Sequence, residues 1–229
     1  MNIQGLNRVT LLDFPGRVAC TVFTGGCELR CPFCHNSSLV IKPGPSRFSV
    51  EEIFSFLEKR RGILDGVALT GGEPLLQPDI EEFIRKIKEK GYAVKLDTNG
   101  CHPDKFERLL SEGLVDYVAM DIKNSPERYA QTVGIPGFDI APVERSLGIL
   151  LGGTTDYELR TTAVREFHDE SSFPAIGEFI SGAKRWFLQN FVDSGALIRE
   201  GLHGFSEEEL RGFARAVEPY VGSADVRGV

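Results

Sequence analysis

Short apolar runs rich in strand-forming residues alternate with helical patterns along nearly the whole chain. This alternation restricts the fold more than any other feature, because strands separated by helices pair in parallel and are covered on both faces. The runs are Val18 to Thr24, Gly66 to Thr70, Ala93 to Asp97, Tyr117 to Ile122, Tyr157 to Ala163 and Trp186 to Phe191. Each is short and apolar, as a buried parallel strand requires. Between them, Val50 to Arg60 has apolar positions at helical spacing, and Ser49 followed by Glu52 predicts a capping box. Pro78 to Lys90 opens with proline and acids, closes with lysines and stops at Gly91, which suits both the helix dipole and capping. Further helices are expected over about Asp104 to Glu112, Ala141 to Leu151 and Phe173 to Ala183. A last one, capped by Ser206 with Glu209, ends near Pro219, and Val221 to Val229 reads as a loosely held tail.

The rhythm predicts an α/β barrel or an open doubly wound sheet, with chemistry at the C-terminal ends of the strands. A length of 229 residues suits one domain, 1–229, with a core from about 16 to 195 and a C-terminal helix and tail from about 196 to 229. A formal charge of -7 argues against nucleic acid as a partner, since backbone binding needs clustered cations in excess. No apolar run approaches the roughly 20 residues that span a bilayer, and the N-terminus lacks a signal-peptide pattern, so neither a membrane partner nor export is expected. The chain reads as cytoplasmic.

Five cysteines, three of them within eight residues, make a poor disulfide framework and favour metal or redox chemistry. Cys20, in an apolar run, reads as a small buried hydrophobe, and Cys101 follows the turn signal Asn99-Gly100. The other three lie just after the first run, where Cys27, Cys31 and Cys34 are separated by three and then two residues. A closed zinc site would need a fourth ligand, and paired spacing elsewhere is lacking. A four-iron cluster held by three thiolates leaves one iron open to an external molecule. After the second run, Gly71-Gly72-Glu73 combines glycines that admit close backbone approach with a carboxylate able to take an ammonium group. The third run ends in Asp97-Thr98-Asn99-Gly100, a capped turn on its own. The fourth ends with Asp121 and Lys123 two apart and hence on one face of a strand.

The cysteine spacing, with the aromatic Phe33 before the last cysteine, resembles the radical SAM superfamily. The resemblance implies a partial (β/α)6 TIM-like barrel, a [4Fe-4S] cluster on Cys27, Cys31 and Cys34, and S-adenosylmethionine (SAM) on the open iron. The cluster's electron would cleave SAM to a 5′-deoxyadenosyl radical. The order Asp13 to Arg17, Cys27 to Cys34, Gly71-Gly72-Glu73, Asp97 to Gly100 and Asp121 to Lys123 is similar to the activating enzymes of glycyl radical enzymes. On that likeness Gly71, Gly72, Glu73, Asp97, Thr98, Asn99, Asp121, Lys123, Arg160 and Phe33 belong to the SAM site, with a monovalent cation beside Asp97 and Asp121. The histidine that pyruvate formate-lyase activases carry after the sixth strand has no counterpart, and Gln189 or Asn190 stands nearest.

The wording Leu11 to Gly16 and Phe187 to Phe191 is most similar to the activases of anaerobic ribonucleoside-triphosphate reductase. That branch implies a glycyl radical enzyme as protein substrate and flavodoxin or ferredoxin as electron donor. Asp13 and Arg17 are the expected contacts to the glycyl loop, and Arg30, Lys42 and Arg47 the expected contacts to the donor. Two other readings remain open: a radical SAM enzyme acting on a small molecule, and a zinc-binding module without catalysis.

Overall fold

A computed structural model of the chain describes residues 1–193 and 195–228, which form two compact units. The first holds Met1–Glu28, Ser38–Ala119 and Thr154–Asp156; the second holds Leu29–Ser37, Met120–Gly153 and the chain from Tyr157 onward.

In the first unit β1 (Ile3–Thr10) runs antiparallel to β2 (Ala19–Thr24), with Ile3 opposite Thr24 and Thr10 opposite Ala19. A short α1 (Ser37–Ile41) and then α2 (Val50–Lys59) lead to β3 (Gly66–Gly71), which pairs parallel to β2 from Ala19↔Gly66 to Thr24↔Gly71. After α3 (Ile80–Glu89), β4 (Ala93–Thr98) pairs parallel to β3, and α4 (Pro103–Ser111) leads to β5 (Tyr117–Asp121). The strand order here is β1-β2-β3-β4-β5.

The reasons are those read from the sequence. Ser49 caps α2 and exchanges the full capping box with Glu52. In α3, Ile80, Phe83, Ile84 and Ile87 form one buried face, each side chain worth about 2 kcal/mol of apolar transfer. Phe14, Ala19, Ala93 and Tyr117 cluster at the N-terminal ends of the strands. The C-terminal ends are thereby left for the loops.

In the second unit α5 (Pro126–Thr132) and α6 (Ala141–Gly152) precede β6 (Asp156–Ala163), α7 (Ser172–Phe179), β7 (Trp186–Asn190), α8 (Glu207–Val217) and β8 (Ala224–Arg227). The order within this unit is β6-β7-β8. β6 and β7 pair parallel from Leu159↔Trp186 to Ala163↔Asn190. The only tryptophan, Trp186, is fully buried and donates from Nε1 to Thr161 Oγ1 at 3.0 Å. Phe173 and Phe213 stack at 4.1 Å to join α7 and α8, and Ser206 with Glu209 forms the second expected capping box.

All the expected strands form, and so do the expected longer helices. The tail is a correction: 224–227 is not loose but forms β8, parallel to β7 from Trp186↔Ala224 to Gln189↔Arg227. Arg227 holds it by a two-pronged pair to buried Glu158 at 2.9 and 3.0 Å, with the guanidinium 3.3 Å from the Phe187 ring centroid. β1 was not expected either, because Gly5, Asn7 and Arg8 break the apolar pattern in an end strand that exposes part of its length. Ser125-Pro126 opens α5 with proline in its first turn, a signal present in the sequence but not used.

The chain changes unit after Glu28, Ser37, Ala119, Gly153 and Asp156, so neither unit is a contiguous segment. We therefore propose that 1–229 unfolds as one domain. In guanidinium, Trp186 fluorescence and far-ultraviolet circular dichroism should give coincident transitions; two separated midpoints would make the units independent.

Candidate functional site

In the first unit the C-terminal ends of β2, β3 and β4 carry one connected group. Gly72 N–H donates to Thr24 O and Glu73 N–H to Gly26 O, each at 2.8 Å, so the turn after β3 is laced to the loop that begins the cysteine motif. The approach leaves no room for a side chain. A Cβ on Gly72 would sit 1.9 Å from Gly26 O, and Gly71 combines φ +116° with backbone 2.5 Å from any Cβ.

Glu73 is fully buried and accepts from Leu75 N–H (3.0 Å), the Thr98 hydroxyl (2.9 Å) and Asn99 N–H (2.8 Å). Its carboxylate ties the turn after β3 to the turn after β4. Burial, and then the charge of Glu28, push its pKa up to about 7 against those three donors. Thr98 also accepts from Gly100 N–H at 3.1 Å.

Asn99, itself buried, accepts from Cys101 N–H at 2.9 Å through Oδ1 and donates through Nδ2 to Glu28 Oε1 at 3.2 Å and Cys27 Sγ at 3.6 Å. His102 Nε2 lies 3.4 Å from Glu28 Oε1. Glu28 raises the His102 pKa; burial works to raise that of Glu28, but His102, a backbone hydrogen bond and Cys101 together outweigh it and hold the carboxyl down. Burial and the nearby Glu28 carboxylate push the Cys101 thiol far up. On β4, almost fully buried Lys95 is paired with Asp97.

The second unit carries a group of its own. Cys31 is buried and Cys34 half-buried, with Cys34 N–H donating to Cys31 O at 3.0 Å. Arg30 N–H donates to Val133 O (2.9 Å) and Arg199 N–H to Pro32 O (3.0 Å). His35 stacks on Phe191 at 5.6 Å with Nε2 2.7 Å from Val192 O. Phe33 is buried against Phe167, centroids 5.8 Å apart, so its aromatic ring packs the loop. Burial pushes the Cys31 thiol up to about 11.

Asp121 at the end of β5 receives Arg160 Nε on Oδ1 and Lys123 Nζ on Oδ2, both at 2.9 Å. Burial alone would raise the Asp121 pKa, but the charges of Arg160 and then Lys123 outweigh it and hold the carboxyl far below the usual range. Buried His168 bonds Lys123 O at 2.9 Å through Nε2, and burial lowers its pKa.

Several expectations acquire a different content. Asp97 and Asp121, expected beside a monovalent ion, are paired with protein cations: Asp97 with Lys95, and Asp121 with Lys123 and Arg160. Asn190 is occupied at both ends of its amide by the Phe205 backbone at 2.9 and 3.0 Å. Asp13 takes the Thr21 hydroxyl midway along β2, and Arg17 lies over the Phe14 ring at the N-terminal end of that strand. Neither is at the end where the cysteine loop leaves. Cys20 is fully buried, as expected, with its pKa raised to about 12. Glu28, His102 and His168 were not singled out from the sequence; Glu28 adjoins a motif cysteine and was findable, whereas nothing in the sequence marks His168.

Among the described residues no helix is long and apolar enough to cross a membrane, no cysteine forms a disulfide, and no three His, Cys, Asp or Glu side chains converge tightly enough to hold a metal ion. The cysteine sulfurs nevertheless suit an iron–sulfur cluster in their chemistry: they are soft thiol donors, with an amide donor aimed at one of them.

The radical SAM superfamily profile matches residues 21–156. A protein of Methanocaldococcus jannaschii assigned as a glycyl-radical enzyme activating enzyme is 30% identical over 99% of this chain and 96% of its own length. The pyruvate formate-lyase-activating enzyme of Staphylococcus aureus USA300 is 32% identical over 79% of this chain and 75% of its own. The crystal structure of SuiB from Streptococcus suis bound to S-adenosylmethionine shares the fold, with a TM-score of 0.67, 15% identity, and coverage of 91% of this chain and 52% of that one. The chain therefore belongs to the radical SAM superfamily, α/β enzymes that use a [4Fe-4S] cluster and SAM, and within it to the glycyl-radical enzyme activating enzymes.

Two outcomes test this geometry. Gly72→Ala should destabilise the protein by more than about 3 kcal/mol in urea unfolding, the range of severe backbone clashes, whereas Gly148→Ala, within α6 and meeting nothing within 4 Å, should cost far less. The second concerns Glu73. Folding raises its pKa from about 4.3 to about 7, so between those values the folded state holds more protons than the unfolded one. The contribution of Glu73 is therefore lost as pH rises through that window. The stability of wild type relative to Glu73→Gln should fall from pH 5 to pH 7.5, and a pH-independent difference would refute the shift.

Proposed function

We propose that this chain is a cytoplasmic activase that installs a glycyl radical in a large partner enzyme, and that the partner is anaerobic ribonucleoside-triphosphate reductase. The observation that carries the activase reading is the match across 99% of this chain to an assigned glycyl-radical enzyme activating enzyme. The finer partner choice rests on the likeness of Leu11 to Gly16 and Phe187 to Phe191 to the reductase activases. Activation of pyruvate formate-lyase is the second reading, favoured by the S. aureus relative.

Cys27, Cys31 and Cys34 would hold the cluster, which, when bound, supplies the electron that cleaves SAM to methionine and a 5′-deoxyadenosyl radical. The chain's own residues bind and orient. Asp121 with Arg160 and Lys123 is a set of one anion and two cations, suited to the carboxylate of the SAM methionine end. Asp97, Thr98, Asn99, Gly71, Gly72 and Glu73 are the remaining proposed SAM-site residues. Of these Glu73, Thr98 and Asn99 act by holding the turns in place, since their polar atoms already bond within the protein. Phe33, buried against Phe167, and His35, bonded to the Val192 carbonyl, fix the cysteine loop.

The electron donor is proposed to be flavodoxin or ferredoxin. Arg30, Lys42 and Arg47 are all exposed, as contacts to an acidic donor must be. A glycine target is chemically apt, because with no side chain it enters a narrow site and its Cα radical is delocalised along the backbone.

Anaerobic reconstitution should yield a brown protein with about four irons and sulfides per chain; a colourless protein with tight zinc would leave the non-catalytic reading. The reduced protein incubated with SAM and each candidate partner should then give 5′-deoxyadenosine and a glycyl-type paramagnetic resonance doublet only with the true partner. Release of 5′-deoxyadenosine with a small molecule, and no protein radical with either enzyme, would overturn the proposal.

A further inference from the structure

The side chain of Asn99, expected at the SAM site, is engaged within the protein. Its Oδ1 accepts from Cys101 N–H at 2.9 Å in an Asx turn, which decides which end of the amide is which. The NH2 end must then face the cysteine motif, where it meets Glu28 Oε1 at 3.2 Å and Cys27 Sγ at 3.6 Å. Its backbone N–H is pinned to Glu73 Oε2 at 2.8 Å, and its side chain is buried. The amide thus has both protons assigned, its acceptor assigned and its backbone held. It has little freedom to turn toward a ligand.

We infer that Asn99 is a positioning residue that donates an N–H···S hydrogen bond to the Cys27 ligand and so sets the reduction potential of the cluster. The physical basis is charge. Adding an electron makes a thiolate-bound cluster more negative, and a donor on a ligand sulfur stabilises that extra charge, so the potential rises with each such bond. An amide dipole in a buried setting is felt more strongly than in water. Glu28 reinforces the arrangement by taking the second amide proton, which keeps the first aimed at sulfur. The inference rests on Cys27 being a cluster ligand, as proposed above.

The test measures the midpoint potential by paramagnetic resonance during an anaerobic redox titration of reconstituted protein, without SAM or partner. Asn99→Asp keeps the Oδ1 acceptor of the Asx turn but removes both donors. Asn99→Ser also keeps a turn acceptor, adds no charge, and removes the amide. Both variants should load about four irons, and both should be harder to reduce. The expected shift is at least tenfold in the reduction equilibrium, or 59 mV for one electron, and larger for the charged variant.

Unchanged midpoints in both variants would overturn the inference while leaving the cluster assignment intact. So would loss of the cluster from both with the far-ultraviolet dichroism of wild type, since Asn99 would then only be building the loop. Failure of the wild-type protein to form a four-iron cluster would instead refute the functional reading itself. A merely structural asparagine would alter iron content or thermal stability, not the potential of the clusters that form.

Discussion

A single buried carboxylate holds the motif turns of the first unit together. Glu73 has no contact with water, and its two oxygens gather a backbone N–H from its own turn and a hydroxyl and a backbone N–H from the turn after β4. An anion placed there without donors would be very costly, and with them it becomes a three-way tie whose removal leaves three donors unsatisfied. The positions of Thr98 and Asn99, and through Asn99 the orientation of the amide at Cys27, follow from that one group. The glutamate of this motif is therefore a fastening between the two turns.

The second unit solves the same problem with opposite charge. Asp121 is flanked by Arg160 and Lys123, and His168 secures the Lys123 backbone from behind. Where Glu73 has its pKa raised by burial, Asp121 has its pKa held down by two cations. One carboxylate is thus kept near neutrality and organises backbone, whereas the other is kept ionised and organises cations. Two acids in one family motif set are not interchangeable, because their surroundings assign them different states.

Much of this was legible in the sequence, and the omissions have physical causes. Apolar runs such as Val67 to Leu69 and Val118 to Met120 could hardly be anything but buried strands, and both capping boxes formed where serine and glutamate stood three apart. β1 and β8 escaped because an end strand needs no continuous apolar run; β8 is held by Arg227 on Glu158, a pair 69 residues apart that no local pattern announces. At the site, spacing marked the cysteines and the motif residues but not what their side chains do. Glu73, Asn99 and Asn190 each bond to other turns of the protein, which spacing did not announce, because hydrogen-bond partners are decided by which turns meet. His168 is invisible to any such reading, since its partner is a backbone carbonyl.

The contact between Gly72 and the Gly26 carbonyl has a consequence for how such chains diverge. The glycine pair is required by backbone meeting backbone, with no cofactor in the argument. A descendant that lost its cysteines, and with them its chemistry, would still have to keep the glycines in order to fold. In lineages of this architecture the glycine signature should therefore outlive the activity, and only its coexistence with the three thiols marks a working catalyst.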